Sequence, residues 1–146
     1  DYNGHMNVAF YVVAFDEALD RIHDRMGLGR PYREQTDHST FALEAHVHWL
    51  QEMKLDDPMR FTVQLLDRDN KRMHLFLLME HGNDGYVSAT YENLLMHVDL
   101  RTRRSSPFPQ EVQARIDHLF EAHQPLKRPD SAGNVIGIRR PKNPRD

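Results

Sequence analysis

Val8-Ala9-Phe10-Tyr11-Val12-Val13-Ala14-Phe15, the first half of a helical run that continues to Met26, is apolar on every side. Val8, Tyr11, Val12, Phe15, Leu19, Ile22 and Met26 recur at spacings of three and four, so residues 8–26 are predicted to form one helix, stopped by Gly27. Asp16, Glu17, Asp20, Arg21 and Asp24 let the second half meet water, but the first half must be covered on most sides. A sheet wrapped around a central helix meets that demand.

The strands for such a sheet come next. Residues 40–52 alternate, with Phe41, Leu43, Ala45, Val47 and Trp49 on one face and Glu44, His46 and His48 on the other. On this pattern Trp49, the one tryptophan, is core packing against the helix. Residues 60–67 and 72–80 are two more extended runs joined by a hairpin at Arg68-Asp69-Asn70-Lys71, and residues 86–100 pair back across Gly82-Asn83-Asp84-Gly85. One helix followed by four strands with short connections implies an antiparallel sheet and an α+β domain. Residues 110–122 are predicted to form a second helix on Val112, Ile116, Leu119 and Phe120, with Pro109 at its first position and Pro125 at its end. The domain is taken as 1–122. The rest, 123–146, reads as a basic tail: Lys127, Arg128, Arg139, Arg140, Lys142 and Arg145 stand against Asp130 and Asp146, with local order only where Val135-Ile136-Gly137-Ile138 find a surface.

The chemistry is concentrated just before the helix, in Asp1-Tyr2-Asn3-Gly4-His5-Met6-Asn7. Asn7 is a good N-cap and Gly4 permits a tight turn ahead of it, so the unpaired backbone N–H groups at Asn7 and Val8 should point back toward Asp1 and His5. Donors at the positive end of a helix dipole are suited to hold a carbonyl oxygen as it becomes an oxyanion. A carboxylate opposite them can attack that carbonyl or take a proton from water. On spacing alone, Asp1, Asn3 and Asn7 are ordinary turn and cap residues.

The joint pattern carries more. An aspartate three residues before a glycine and ten before an aromatic, here Asp1, Gly4 and Tyr11, resembles the active-site motif of hotdog-fold thioesterases of the 4-hydroxybenzoyl-CoA thioesterase type. The Asn3-Gly4-His5-Met6-Asn7 filling is similar to related acyl-CoA thioesterases with His-x-Asn after the turn. The resemblance covers roughly residues 1–122. It implies a long central helix wrapped by an antiparallel sheet, with Asp1 as nucleophile or general base, and the Asn7 or Val8 N–H polarising the carbonyl. It also implies that His5 and Asn3 orient substrate or water, while Gly4 and Tyr11 contribute to substrate binding, Tyr11 lining the acyl pocket. In that family a strand precedes the aspartate, so sequence upstream of Asp1 is expected. Assembly into a homodimer or homotetramer is also implied, and strand edges left open by so small a sheet agree with it.

A narrower resemblance links Lys71-Arg72-Met73-His74-Leu75-Phe76 and Leu95-Met96-His97-Val98-Asp99 to thioesterases of carnitine breakdown, whose substrate is betainyl-CoA. That makes betainyl-CoA the first candidate among small acyl-CoA thioesters. Trp49, Tyr11 or Tyr91 would then wall in a quaternary ammonium. Arg101, Arg103 and Arg104 are candidates for the phosphates of coenzyme A, their alternative being a solvated turn. Two rivals share the fold: an enoyl-CoA hydratase or dehydratase, whose acid-to-histidine spacing is longer than Asp1 to His5, and a non-catalytic acyl-CoA-binding or scaffold protein.

Composition bounds the rest. A net charge of −3 over 146 residues argues against nucleic-acid binding, and zero cysteines exclude disulfides, thiol catalysis and cysteine-ligated zinc. No apolar run reaches membrane-spanning length, and the expected location is the cytoplasm. Ten histidines include His46-x-His48 on one strand face beside Glu44, but no third ligand stands at a telling spacing; His74, His81 and His97 are scattered. No metal and no cofactor are expected. The chain carries no Gly-x-Ser-x-Gly, phosphate-loop or dinucleotide glycine pattern.

Overall fold

A computed structural model describes residues 1–138. The predicted helix is α1 (Val8–Met26), followed by a short α2 (Arg30–Thr36), then β1 (His38–Trp49), β2 (Met59–Arg68), β3 (Arg72–His81), β4 (Val87–Asp99), β5 (Arg104–Ser105) and α3 (Gln110–His123). The sheet order is β1-β4-β3-β2 with every pair antiparallel, and β5 adds a two-residue pairing to the end of β4. This is the hotdog arrangement of a long helix laid across an antiparallel sheet.

Phe15 centres the core. Its ring stacks on Tyr91 at 5.1 Å and meets Phe61 edge-on at 5.6 Å, and Leu75, Leu77 and Met79 of β3 close around it without solvent exposure. Complete burial of a side chain of this size contributes about 1.5–3 kcal/mol. Gly27, at φ 75°, ends α1: its N–H reaches the Asp24 carbonyl and Leu28 N–H the His23 carbonyl, a left-handed cap that glycine adopts without strain. Val112 and Ile116 seat α3 beside α1 and β2, and Pro109 stands at its N-cap, one place earlier than expected.

Two expectations need correction. The sheet does not wrap α1 on most sides: Tyr11, Ala14, Phe15, Ala18 and Leu19 are buried, while Val8, Phe10, Val12 and Val13 remain between 40% and 62% exposed. A helix is a cylinder, and one four-stranded sheet covers one side of it. The second correction is the face assignment of β1. A bulge between Ala42 and Glu44 inserts a residue at Leu43 and flips the alternation. Val47 pairs with Tyr91 on the helix side, whereas Phe41 pairs with Met96 on the outer face, where the Arg103 guanidinium lies 5.6 Å from its ring. Trp49 comes at the end of an edge strand and is half exposed, so it is not core.

The helix α2 was not read from the sequence, although Gly29 followed by Pro31 at its head is a start signal. It brings Tyr32 to the buried His97. Nδ1 of His97 is 2.8 Å from the Ser106 carbonyl, which only accepts, so Nδ1 carries the proton and Nε2 accepts from the Tyr32 hydroxyl at 2.8 Å. Burial lowers the His97 pKa below its ordinary 6.5. The tail docks through its backbone: Gly133 N–H donates to the Glu92 carboxylate, which also pairs with His74 at 2.7 Å, while Val135, Ile136 and Ile138 stay almost fully exposed. Arg139, Arg140, Lys142, Arg145 and Asp146 lie outside the described residues.

Candidate active site

The motif folds as a turn that runs into a helix cap. Gly4 N–H donates to the Asp1 carbonyl at 3.0 Å and Asn3 N–H to Asp1 Oδ1 at 2.8 Å, with Gly4 at φ 76°, where a side chain would be strained. Asn7 Oδ1 accepts from Ala9 N–H at 3.0 Å, and the Asn7 carbonyl accepts from Phe10 N–H at 2.9 Å. Those two bonds use the second and third donors of α1. Among the described residues, the Asn7 and Val8 N–H groups are left without a protein partner at the positive end of a 19-residue helix. An oxyanion is the ligand such a pair fits.

The loop after β1 fixes this head. Met6 N–H bonds the Met53 carbonyl at 2.8 Å, Met53 N–H bonds the Tyr11 hydroxyl at 3.1 Å, and the Tyr86 hydroxyl donates to the Glu52 carbonyl at 3.0 Å. The same loop delivers a residue the sequence did not single out: Glu52 Oε2 lies 2.8 Å from His5 Nε2, both side chains about half exposed. A carboxylate accepts, so Nε2 carries a proton. No local pattern joins residue 5 to residue 52.

The other candidates are placed less closely. Tyr11 is buried, and its hydroxyl accepts from Met53 N–H, so it braces the head of the helix. Tyr91 is buried too, but it lines a groove of about 550 Å³ between α1 and β1; burial raises its pKa above the usual 10. Trp49 lines a different groove, beside the tail, and the three rings do not form one cage. Arg101, Arg103 and Arg104 stand beyond Asp99, whose Oδ1 takes the Arg101 N–H at 2.8 Å and whose carboxyl is thereby held below its usual range. Trp49 pairs with Ala89 at one end of β4 and His38 with Asp99 at the other, so the arginines lie about 30 Å along the sheet from the motif end of the same chain. His46 and His48 face each other edge-on at 4.5 Å on the outer side of the sheet, and no cluster of three metal-ligating side chains occurs among the described residues.

The turn at Asp1 and the free N–H donors at the head of a hotdog helix suit thioester hydrolysis, and the comparisons show that class: an acyl-CoA thioesterase, a thioester hydrolase. Residues 1–116 match the Thioesterase-like superfamily, and the chain belongs to it. It is 40% identical over 138 residues to the betainyl-CoA thioesterase of Pseudomonas aeruginosa, covering 94% of this chain and 87% of that protein. Against the L-carnitine dehydrogenase/betainyl-CoA thioesterase of Rhizobium meliloti it is 37% identical over 96% of this chain, which spans 28% of that longer protein. A Staphylococcus aureus protein solved in complex with CoA superposes with a TM-score of 0.89 at 33% identity, over 95% of this chain and 87% of that one. A Pseudomonas putida structure described as a putative thioesterase gives 0.81 at 34%, over 96% and 89%.

Proposed function

We infer that this chain hydrolyses a small acyl-CoA thioester, with betainyl-CoA as the first candidate. The observation that carries the mechanism is the pair of unbonded N–H groups at Asn7 and Val8 beside the Asp1 turn. The substrate choice rests on the Pseudomonas aeruginosa relative. The thioester carbonyl accepts from those N–H groups, which gain as negative charge develops on its oxygen. Asp1 then works in one of two ways. As a nucleophile it forms a mixed anhydride, expels the CoA thiolate and is freed by water; as a general base it takes a proton from the water that attacks the carbonyl carbon. Either route yields the free acid and CoA thiol. His5, oriented by Glu52, and Asn3 border the place where water enters.

Two copies complete the site. β1 has a free edge twelve residues long, flanked by the exposed Phe41, Leu43 and Trp49 and by the uncovered side of α1. Pairing β1 with itself about a two-fold axis is antiparallel, so the Asp99 end of one copy meets the motif end of the other. Arg101, Arg103 and Arg104 then lie within reach of CoA phosphates bound at the neighbouring site. No described helix is long and apolar enough to cross a membrane, and a CoA thioester substrate supports a cytoplasmic location. Incubating the full-length protein with a panel of acyl-CoAs and measuring free CoA with a thiol reagent tests this reading. Betainyl-CoA should give the highest kcat/KM; binding without thiol release would make the protein a carrier.

A further inference from the structure

Val8, Val12 and Asp16 follow one another at one-turn intervals along a single stripe of α1, and this stripe leads from the free N–H of Val8 into the groove beside Tyr91. Val8 and Val12 are open to solvent in the single chain. The rise from Val8 to Asp16 is about 12 Å. The Asp16 carboxylate leans back toward the helix start, which shortens that span. A hydrogen bond of about 3 Å at the carbonyl end, a two-carbon acyl group and an ion contact of about 4 Å at the far end together fill it. A longer chain overshoots the carboxylate.

The groove itself asks for a ligand. Asn93 stands in its floor, 1% exposed, and donates Nδ2 to the Tyr91 hydroxyl at 2.7 Å; its carbonyl oxygen has no partner among the described residues. Such a group costs free energy unless something polar or charged arrives beside it. Asp16, Asp20 and Asp24 line the helix wall at intervals of one turn, and Arg30 and Arg33 of α2 close the groove beyond the end of α1. Asp20 is 4.0 Å from His23, whereas Asp16 has no cation within ion-pair distance among the described residues. The charge of Asp16 nonetheless reaches the groove floor: after burial, it is the group that raises the Tyr91 hydroxyl pKa.

We propose that Asp16 is the counter-charge for the quaternary ammonium of the acyl group, with Tyr91 and Asn93 as the floor of that subsite. This rests on the betainyl-CoA reading above. Recognition then comes from one carboxylate with one buried ring, and a trimethylammonium group, which has no N–H to satisfy, suits a carboxylate backed by a ring face.

The test uses the full-length protein, betainyl-CoA, and its uncharged isostere 3,3-dimethylbutyryl-CoA, comparing wild type with Asp16→Asn and Asp16→Glu. Wild type is expected to favour betainyl-CoA. Asp16→Asn should lower kcat/KM for betainyl-CoA by about 30-fold or more, without a comparable fall on the neutral isostere, and Asp16→Glu should recover part of the preference. If wild type favours betainyl-CoA and Asp16→Asn keeps that preference, the subsite lies elsewhere and this proposal is overturned while the substrate reading stands. An equal loss on both substrates also overturns it, because a residue that reads charge spares the neutral one. If wild type does not favour betainyl-CoA at all, the substrate reading fails and the subsite falls with it.

Discussion

His5 Nε2 and Glu52 Oε2 stand 2.8 Å apart and join the turn at the head of α1 to the loop beyond β1. With Glu52→Ala the imidazole loses the acceptor that holds its Nε2 proton, and thioester turnover should fall severalfold. Stability should hardly move, since a pair this exposed contributes about 0.2–1 kcal/mol. Steady-state kinetics alongside a thermal melt checks this. A large fall in melting temperature with unchanged turnover would make the pair a structural tie.

Tyr11→Phe removes the hydroxyl that receives Met53 N–H in the interior. An unsatisfied buried donor costs about 1–3 kcal/mol. Denaturant unfolding should show that loss. Turnover should fall as well, because the Met53 carbonyl also holds Met6 N–H at the head of α1.

His97 and His23 have folded-state pKa values lowered by burial, so both hold the neutral form while the unfolded chain protonates near 6.5. Their contribution is fully present above that value. As pH falls below about 6.5 the unfolded state takes up more protons, and stability drops toward pH 5. Unfolding free energies from pH 8 to pH 5 should show this slope, and His97→Gln should flatten it even though the variant is less stable throughout.

Leu43→Lys puts a charge at the bulge in the middle of the free β1 edge, where Leu43 is half exposed. Assembly through that edge should be lost. Sedimentation velocity would show a smaller species, and persistence of the wild-type assembly would place the contact on another surface.

The sequence made the helix and the hairpins legible because each carries its own periodicity and its own turn residues: α1 runs over the expected 19 positions and Asn7 caps it. The placement of Asp1, Gly4 and Asn7 was legible for the same reason, since they are neighbours in the chain. Three features were not. The bulge at Leu43 is a backbone event inside a run that alternates cleanly, so the pattern puts Phe41 on the core face, and nothing in it shows that Trp49 ends an edge strand and stays half exposed. The uncovered side of α1 depends on how far one sheet can curl, which no local pattern records. Glu52 meets His5 across 47 residues through a loop fastened by Tyr86, Tyr11 and Ser88, and only the folded sheet brings them together.

The central claim is that Asp1 performs the chemistry at the head of α1, and the direct measurement is CoA release from betainyl-CoA by full-length Asp1→Asn, with substrate affinity measured on the same preparation. The substitution keeps the size and the Asx-type bond to Asn3 N–H but removes the carboxylate. The expected result is a loss of turnover of at least about 100-fold, as for removal of a general acid–base or nucleophilic group, with acyl-CoA binding close to wild type. Near-normal turnover would contradict the account and leave Asp1 as a turn residue alone.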